Sequence, residues 1–372
     1  MVAFAEDPER FKDIFVIKEA NELGIYAFNL YVRGRPFVVV IDDYIPFVQG
    51  STSTETLPAF ANIGVDGALW GPLLEKVWAK INGNYESTAA GWQHEALRVF
   101  SGAPSYDYLT ASYDHDQIWE ILSSADLNDY IIGAGTSGSG NHDLKNSVGL
   151  SQSHAYSVLG TFELTQGDGT LSHRLLMLRN PWGFETYKGK WNDQDELWLS
   201  GVDTDFREQV PYYDQDDGKF FIDLETFKES FLYFLVQYYR PGWKVSYYEQ
   251  LNDDSSLKQY TFTTTETMNM HIAADTYDPR MYPYGCKSLK VMAQMLVRKV
   301  GTSEALAEKY FSDWIGFGHV YLSNLEPGDY EIYLQYAWPA GTEEKPEETV
   351  HDYTIRIYAP VEVTIYDQNL QS

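Results

Sequence analysis

Apolar residues recur with two different periods in the first part of the chain and with a single period after about residue 240. Trp70, Leu73, Leu74, Val77, Trp78 and Ile81 repeat at helical spacing until Asn82-Gly83 interrupts them, which predicts a helix over that stretch. Asp7-Pro8-Glu9 predicts a short helix start, with a capping carboxylate and a proline in the first turn, and residues 117–124 form another helical segment. Residues 24–32 and 36–41 read as strands joined through Arg33-Gly34-Arg35. Strands dominate from Tyr130, broken by an amphipathic segment after Asp223 that sets Phe227, Phe231 and Phe234 on a common side. Past Pro241-Gly242 only short alternating strands remain, at 289–297, 329–336, 353–358 and 361–365, the pattern of an all-β sandwich. The expected class is therefore α+β, mixed first and all-β after a boundary near Arg240.

A length of 372 residues suits two to three domains, and a hydrophobic share of 44% with 10 Trp, 29 Tyr and 19 Phe excludes a disordered chain. The net charge of −27 repels a phosphate backbone, so no nucleic acid is expected as a partner; basic proteins or divalent cations suit it better. Cys286 is the lone cysteine, which precludes an intrachain disulfide and fits a reducing, cytoplasmic setting. Glu6, Asp7, Glu9, Arg10 and Lys12 break any apolar run at the start, so no signal peptide is expected, and no window offers the ~18 apolar residues of a transmembrane segment.

Two motifs are set aside. Gly133-Ala134-Gly135-Thr136-Ser137-Gly138 spells a dinucleotide fingerprint, but Ser139-Gly140-Asn141 cannot start the helix that a pyrophosphate needs, so a Gly/Ser-rich surface loop is expected. Residues 214–218 look like part of a calcium loop, yet aligning Gly218 with its glycine puts Tyr213 and Leu224 where carboxylates belong.

Residues 155–164 and 172–178 both read as strands, with Gln166-Gly167-Asp168-Gly169 as the turn between them. A pairing of His154 with Asn180 centres on Gly167, inside that turn. Barring a bulge, the two side chains face each other on one side of the hairpin, close enough to hydrogen bond. Such a pair alone is more often structural than catalytic.

The surrounding blocks shift that balance. Ser153-His154-Ala155-Tyr156-Ser157-Val158, Leu178-Arg179-Asn180-Pro181-Trp182-Gly183 and Gly189-Lys190-Trp191-Asn192-Asp193 closely resemble the His and Asn blocks of the calpain family of papain-like cysteine proteases. Residues 24–46, 69–81, 83–86 and 220–227 resemble further core segments of that family in the same order. Leu325-Glu326-Pro327-Gly328-Asp329-Tyr330 resembles a turn of the β-sandwich that follows the protease core. The resemblance implies a truncated first lobe over 1–108, a β-rich second lobe over 109–240 and a sandwich over 241–372. By position it makes His154 the general base, Asn180 the residue that orients its ring, and Trp182 the cover over their hydrogen bond.

In that family the nucleophilic Cys opens a helix ahead of the segment matched here, preceded by a Gln that serves the oxyanion. Neither has a counterpart in this sequence. Cys286 follows His154 and Asn180 and falls among the sandwich strands, so it reads as a structural thiol; Ser151 and Ser153 neighbour His154 only along the chain. For calcium the resemblance offers Glu86 in the first lobe and Asp193 and Asp217 in the second. Thr186 and Lys219 stand where carboxylates are expected, with Glu185 one residue off, so any calcium site is weakened. Two readings stay open. One is a calpain-like protein, non-catalytic on its own, acting as a binding or scaffold component towards a protein partner, including a chain segment that completes the first lobe. The other is part of an active calcium-dependent endopeptidase whose nucleophile lies upstream and whose substrates are proteins.

Overall fold

A computed structural model of the chain describes residues 2–11, 13–50, 56–64, 67–281, 291–313, 317–338 and 350–369. Cys286 and the first two residues of the 289–297 strand lie outside these. In chain order the elements begin with α1 (Val2–Ala5), the hairpin β1 (Ile25–Val32) and β2 (Arg35–Asp42), and the short β3 (Phe47–Gln49) and β4 (Thr56–Pro58). Then come α2 (Trp70–Ile81), α3 (Gln93–Ser101), β5 (Ser105–Leu109), α4 (His115–Leu127), β6 (Ile131–Thr136), β7 (Ala155–Thr165), β8 (Leu171–Arg179), β9 (Lys219–Asp223), α5 (Leu224–Ser230) and β10 (Phe231–Gln237). Among the described residues nine strands follow: β11 (Lys244–Gln250), β12 (Lys258–Thr264), β13 (Met268–Asp275), β14 (Val291–Lys299), β15 (Ala305–Asp313), β16 (Phe317–Leu325), β17 (Gly328–Ala337), β18 (Tyr353–Ala359) and β19 (Tyr366–Asp367). Among the described residues no helix is long and apolar enough to cross a membrane.

The chain divides into two units, each discontinuous in sequence: Met1–Arg10 with Ser105–Arg240, and Phe11–Pro104 with Pro241–Ser372. The first is built on a six-stranded antiparallel sheet in the order β5-β10-β6-β7-β8-β9. Strand alternation sends its side chains to two cores. Leu176, Leu178, Phe220 and Ile222 join Ile118, Trp119 and Leu122 of α4 and Phe227 of α5 on one face. On the other, Leu175 and Phe221 meet Trp191, Trp198 and Phe206 from the long segment between β8 and β9. Asp114 starts α4 in a capping box with Gln117, and Asp223 starts α5 by accepting from the Thr226 amide.

In the second unit, β1 and β2 pair around an Arg33-Gly34 turn and bury Tyr26, Phe28, Leu30, Val39 and Ile41. Two antiparallel sheets, β11-β18-β13-β16 and β15-β14-β17-β12-β19, contribute alternate residues to one apolar cluster that includes Ile272, Met295, Ile332 and Ile355. Within the same unit a buried charge network ties α3 to these sheets. Asp275 accepts from Arg98 at 3.0 Å and from Arg356 at 2.5 Å, and Arg98 also reaches Asp278 at 2.5 Å, while Arg356 donates to the Gly102 carbonyl. Burial pushes the Asp275 carboxyl up, but the Arg356 and Arg98 guanidiniums outweigh it and hold it below its usual value.

Several elements depart from the sequence reading. Phe231 and Phe234 share a core with Phe227, but α5 ends at Ser230 and both belong to β10, whose continuous apolar run is buried between β5 and β6. Residues 133–136 of the glycine-rich motif are not surface loop. They form part of β6, entirely buried, where Gly135 leaves room for the Tyr233 ring that a Cβ would strike. Residues 361–365 cover the core without pairing: Val363 and Ile365 are buried, and the Val363 amide donates to the Ser246 hydroxyl at 2.8 Å. α3, not foreseen from the sequence, ends on Gly102 in the left-handed region at φ +67°.

Candidate active site

His154 immediately precedes β7 and Asn180 immediately follows β8, so the hairpin brings them together. The ladder, however, pairs Ser157 with Arg179 and centres on Asp168, with bulges between Val158 and Gly160 and between Leu164 and Thr165. Asn180 is thus two positions out of the register expected from the sequence. An even shift keeps it on the same face of the sheet, and the two side chains still meet: His154 Nε2 lies 3.0 Å from Asn180 Oδ1. The backbone of His154 is fixed by reciprocal bonds with Thr136, its amide donating to the Thr136 hydroxyl and its carbonyl accepting from the Thr136 amide, both at 3.0 Å.

Asn180 is buried and its amide group has one sensible orientation. Oδ1 accepts from the Trp182 amide at 3.1 Å, and Nδ2 donates to the Phe184 carbonyl at 3.1 Å. Reversing the group would set donor against donor and acceptor against acceptor at both contacts. With Oδ1 towards the imidazole, Nε2 must donate, so the ring is held as the Nε2–H tautomer and Nδ1 keeps a lone pair available as a base. The loop carrying Asn180 is closed by its own backbone: the Asn180 amide donates to the Gly218 carbonyl at 2.8 Å, and the Gly183 amide to the Asn180 carbonyl at 3.0 Å. Gly218, at φ +85°, is needed for this approach, because a Cβ there would lie 2.9 Å from the Asn180 carbonyl oxygen and 3.1 Å from Gly183 Cα.

The Trp182 ring covers the imidazole, centroid to centroid 4.2 Å, while its outer face is exposed; Tyr156 meets the imidazole edge-on at 5.0 Å. Partial burial pushes the His154 pKa down, the bond to Asn180 opposes that, and the nearby His142 adds to it. The neutral base is therefore favoured near pH 7. His142, 5.9 Å from the His154 ring, was invisible as a neighbour in the sequence because residues 143–153 between them carry no periodicity. Neither nearby serine is bonded to the imidazole: the Ser153 hydroxyl accepts from the Gly140 amide at 2.9 Å, and Ser151 is fully buried.

The residues considered for calcium are arranged differently. Glu86 is exposed on a 3-10 turn, Glu86–Thr88, of the other unit. Asp193 and Asp217 neighbour each other in the first unit, beside Glu185 and Asp216. Burial, with Asp193, Asp216 and Asp217 nearby, pushes Glu185 up to about 8, and burial with Asp214 and Asp217 pushes Asp193 up to about 6. Lys219 sits 3.1 Å from Asp217, which neutralises the carboxylate a cation would use. No group of three or more His, Cys, Asp or Glu side chains arranged to hold a metal occurs among the described residues. As placed, the set does not fit a calcium ion, which calls for about six to eight oxygen ligands.

Comparison with known proteins bears on what this pair can do. A model of the calpain family cysteine proteases matches residues 1–236. Calpain-14 of Homo sapiens is 32% identical over 249 residues, 65% of this chain and 32% of that protein. A calpain-type cysteine protease, DEK1 of Arabidopsis thaliana, is 32% identical over 238 residues, 62% of this chain and 10% of that protein. The calpain-1 catalytic subunit of Mus musculus is 33% identical over 213 residues, 56% of this chain and 28% of that protein. The matched part thus spans about a third or less of each of these relatives.

Proposed function

Because the chain belongs to the calpain family of cysteine proteases, we propose that His154 and Asn180 are the base and the orienting residue of a Cys–His–Asn site, with Trp182 as its cover. On this reading these 372 residues supply the base and its orienting residue, and hydrolysis requires a segment outside them that carries the thiol. The observation that carries it is the fixed Nε2–H tautomer, which leaves Nδ1 free to take a thiol proton and form a thiolate–imidazolium pair.

The same reading divides the chain by function into part of a first lobe (1–108), a second lobe (109–240) and a β-sandwich domain (241–372), in a papain-like arrangement. A shared core drawn from two antiparallel sheets supports the sandwich. Calcium would act weakly here, for the reasons of charge given above, and a cytoplasmic protein with protein partners or substrates fits the lone cysteine and the acidic surface. A second reading, a scaffold without any catalytic role, is favoured by the apolar side chains of Phe37, Val38 and Val40, which β2 leaves exposed.

Incubating the purified chain with casein or fluorogenic peptides, with and without calcium, tests the proposal. No hydrolysis and no thiol labelling by an epoxide-type cysteine-protease probe are expected. Adding a first-lobe segment bearing the Gln and Cys should restore labelling, and His154→Ala should abolish it. Thiol-dependent activity of the chain alone, lost in Cys286→Ser, would refute this assignment, whereas a complemented chain that binds the segment and stays unlabelled would leave the scaffold reading.

A further inference from the structure

The Ser105–Arg240 part of the first unit also contains an open cleft of about 680 Å³ whose lining does not include His154 or Asn180. It is bounded by the start of β8, the first turn of α4, the segment after Gly189 and the start of α5, and its lining includes Trp191 and Leu224. Four basic side chains line it: His115, His173, Arg174 and Lys190. Arg174 is committed, to Asp116 at 2.7 Å and Glu163 at 3.3 Å. Of the two lining carboxylates, Asp223 is committed as well, one oxygen to the Thr226 amide at 2.8 Å and the other to its hydroxyl at 2.9 Å, while Glu225 is exposed.

The remaining three basic side chains are different. Among the described residues the side chains of His115, His173 and Lys190 make no hydrogen bond and no ion pair, although they come from three separate elements and meet in one cleft. Among the described residues the His173 ring makes edge contacts to Trp191 at 4.9 Å and Phe206 at 5.7 Å, and the residue lines the cleft. In a chain with twice as many acidic as basic residues, a cleft lined by four basic side chains against two carboxylates, Asp223 and Glu225, is a local excess of basic groups suited to an anion.

We propose that this cleft binds a small tetrahedral dianion, a phosphate ester or inorganic phosphate, between Lys190, His173 and His115. Charge-assisted bonds from two imidazoles and an ammonium suit a dianion, and the apolar wall at Trp191 and Leu224 accommodates the organic part of an ester. The groups facing His173 are Asp223, Lys190, Arg174, His115 and Glu225. In the free protein burial lowers the His173 pKa, Asp223 opposes this and Lys190 adds to it. A bound dianion favours the imidazolium, so the protein takes up a proton on binding and binds more tightly as pH falls.

Sulfate is a suitable probe because its charge is constant over the range in which imidazoles titrate. The imidazole resonances of the 372-residue chain, assigned with His115→Gln and His173→Gln, are followed during sulfate addition at pH 6 and pH 8 at constant ionic strength. Saturable shifts of both imidazoles are expected, with affinity at least about fivefold tighter at pH 6, and a loss of about tenfold in Lys190→Ala. Tighter binding of phenyl phosphate than of sulfate would assign the site to organic phosphates, and equal affinity to the inorganic ion. Lys190 and His115 are exposed, so their variants keep the test decisive even if His173→Gln disturbs the Trp191 contact. Shifts that do not saturate, or an affinity indifferent to Lys190→Ala, would overturn the proposal.

Discussion

Replacing Asn180 by Ala removes a side chain that makes three hydrogen bonds, to His154 at 3.0 Å, to the Trp182 amide at 3.1 Å and to the Phe184 carbonyl at 3.1 Å. At roughly 1 kcal/mol net for each bond the upper figure is about 3 kcal/mol, and because water can reach Trp182 and Phe184 the expected loss is about 2–3 kcal/mol. Hydrogen exchange at the amides of Leu176 and Leu178, in the buried part of β8, reads this directly. Under conditions where exchange reports the opening equilibrium, the variant should exchange about 30- to 150-fold faster. The ¹⁵N shifts of the His154 ring give a second readout: the native chain should show the Nε2–H tautomer, and the variant a mixture. Asn180→Asp keeps an oxygen towards His154 and Trp182 but sets its other oxygen against the Phe184 carbonyl in a buried site, so it should cost at least as much stability while raising the His154 pKa through the added negative charge. An acceleration below about fivefold, with the tautomer unchanged in Asn180→Ala, would show that the amide does not hold the ring and would remove the main support for a catalytic pair.

Glu185 has a folded-state pKa raised above its unfolded value, so it destabilises the fold as pH rises from about 4.5 through about 8. Glu185→Gln should therefore match the native chain at pH 4 and exceed it at pH 8.5, by about 1–2 kcal/mol after solvent screening of a half-exposed group, as measured by urea unfolding. Calorimetric titration with calcium should give at best a millimolar dissociation constant, as expected of a site short of carboxylates; micromolar affinity abolished by Asp193→Ala would contradict the assigned misfit. Gly218→Ala should cost about 1–3 kcal/mol and disorder the His154–Asn180 contact, since the residue has φ +85° and a Cβ would press on the Asn180 carbonyl; unchanged His154 resonances would argue otherwise.

The parts legible in the sequence were those governed by short-range rules. Trp70–Ile81 forms a helix because its apolar spacing and its Asn82-Gly83 stop agree, and the β1–β2 hairpin follows from alternation around a glycine turn. His154 and Asn180 could be brought together because a hairpin turns sequence distance into spatial pairing. Their register could not be read, since it depends on where the turn closes: Gln166 and Thr170 bond across Asp168, and the two bulges cancel, so the same centre holds at Ser157 and Arg179. Phe231 and Phe234 carry the same apolar signal in a helix or a buried strand, and only their position between β5 and β6 decides it. The orientation of the Asn180 amide rests on the Trp182 and Phe184 backbones, and the partners of Arg98 are about 180 residues away in sequence. Nothing local encodes such contacts.

The discontinuous make-up of the units has a consequence for synthesis. Residues 11–104 belong with 241–372, so the ribosome delivers the whole of 105–240 before the strands that complete that unit begin to emerge. At about 5–20 residues per second this interval lasts roughly 7–27 s. During it Arg98 has no Asp275 to meet, and α3 waits without the sheets that bury its charge. The intervening unit, whose Ser105–Arg240 sheet is drawn from one continuous segment, can form first. The nascent chain is thus a finished body tethered to an unfinished one, and the long-range closure at Asp275 is the late, aggregation-exposed step in which chaperones would have most to do.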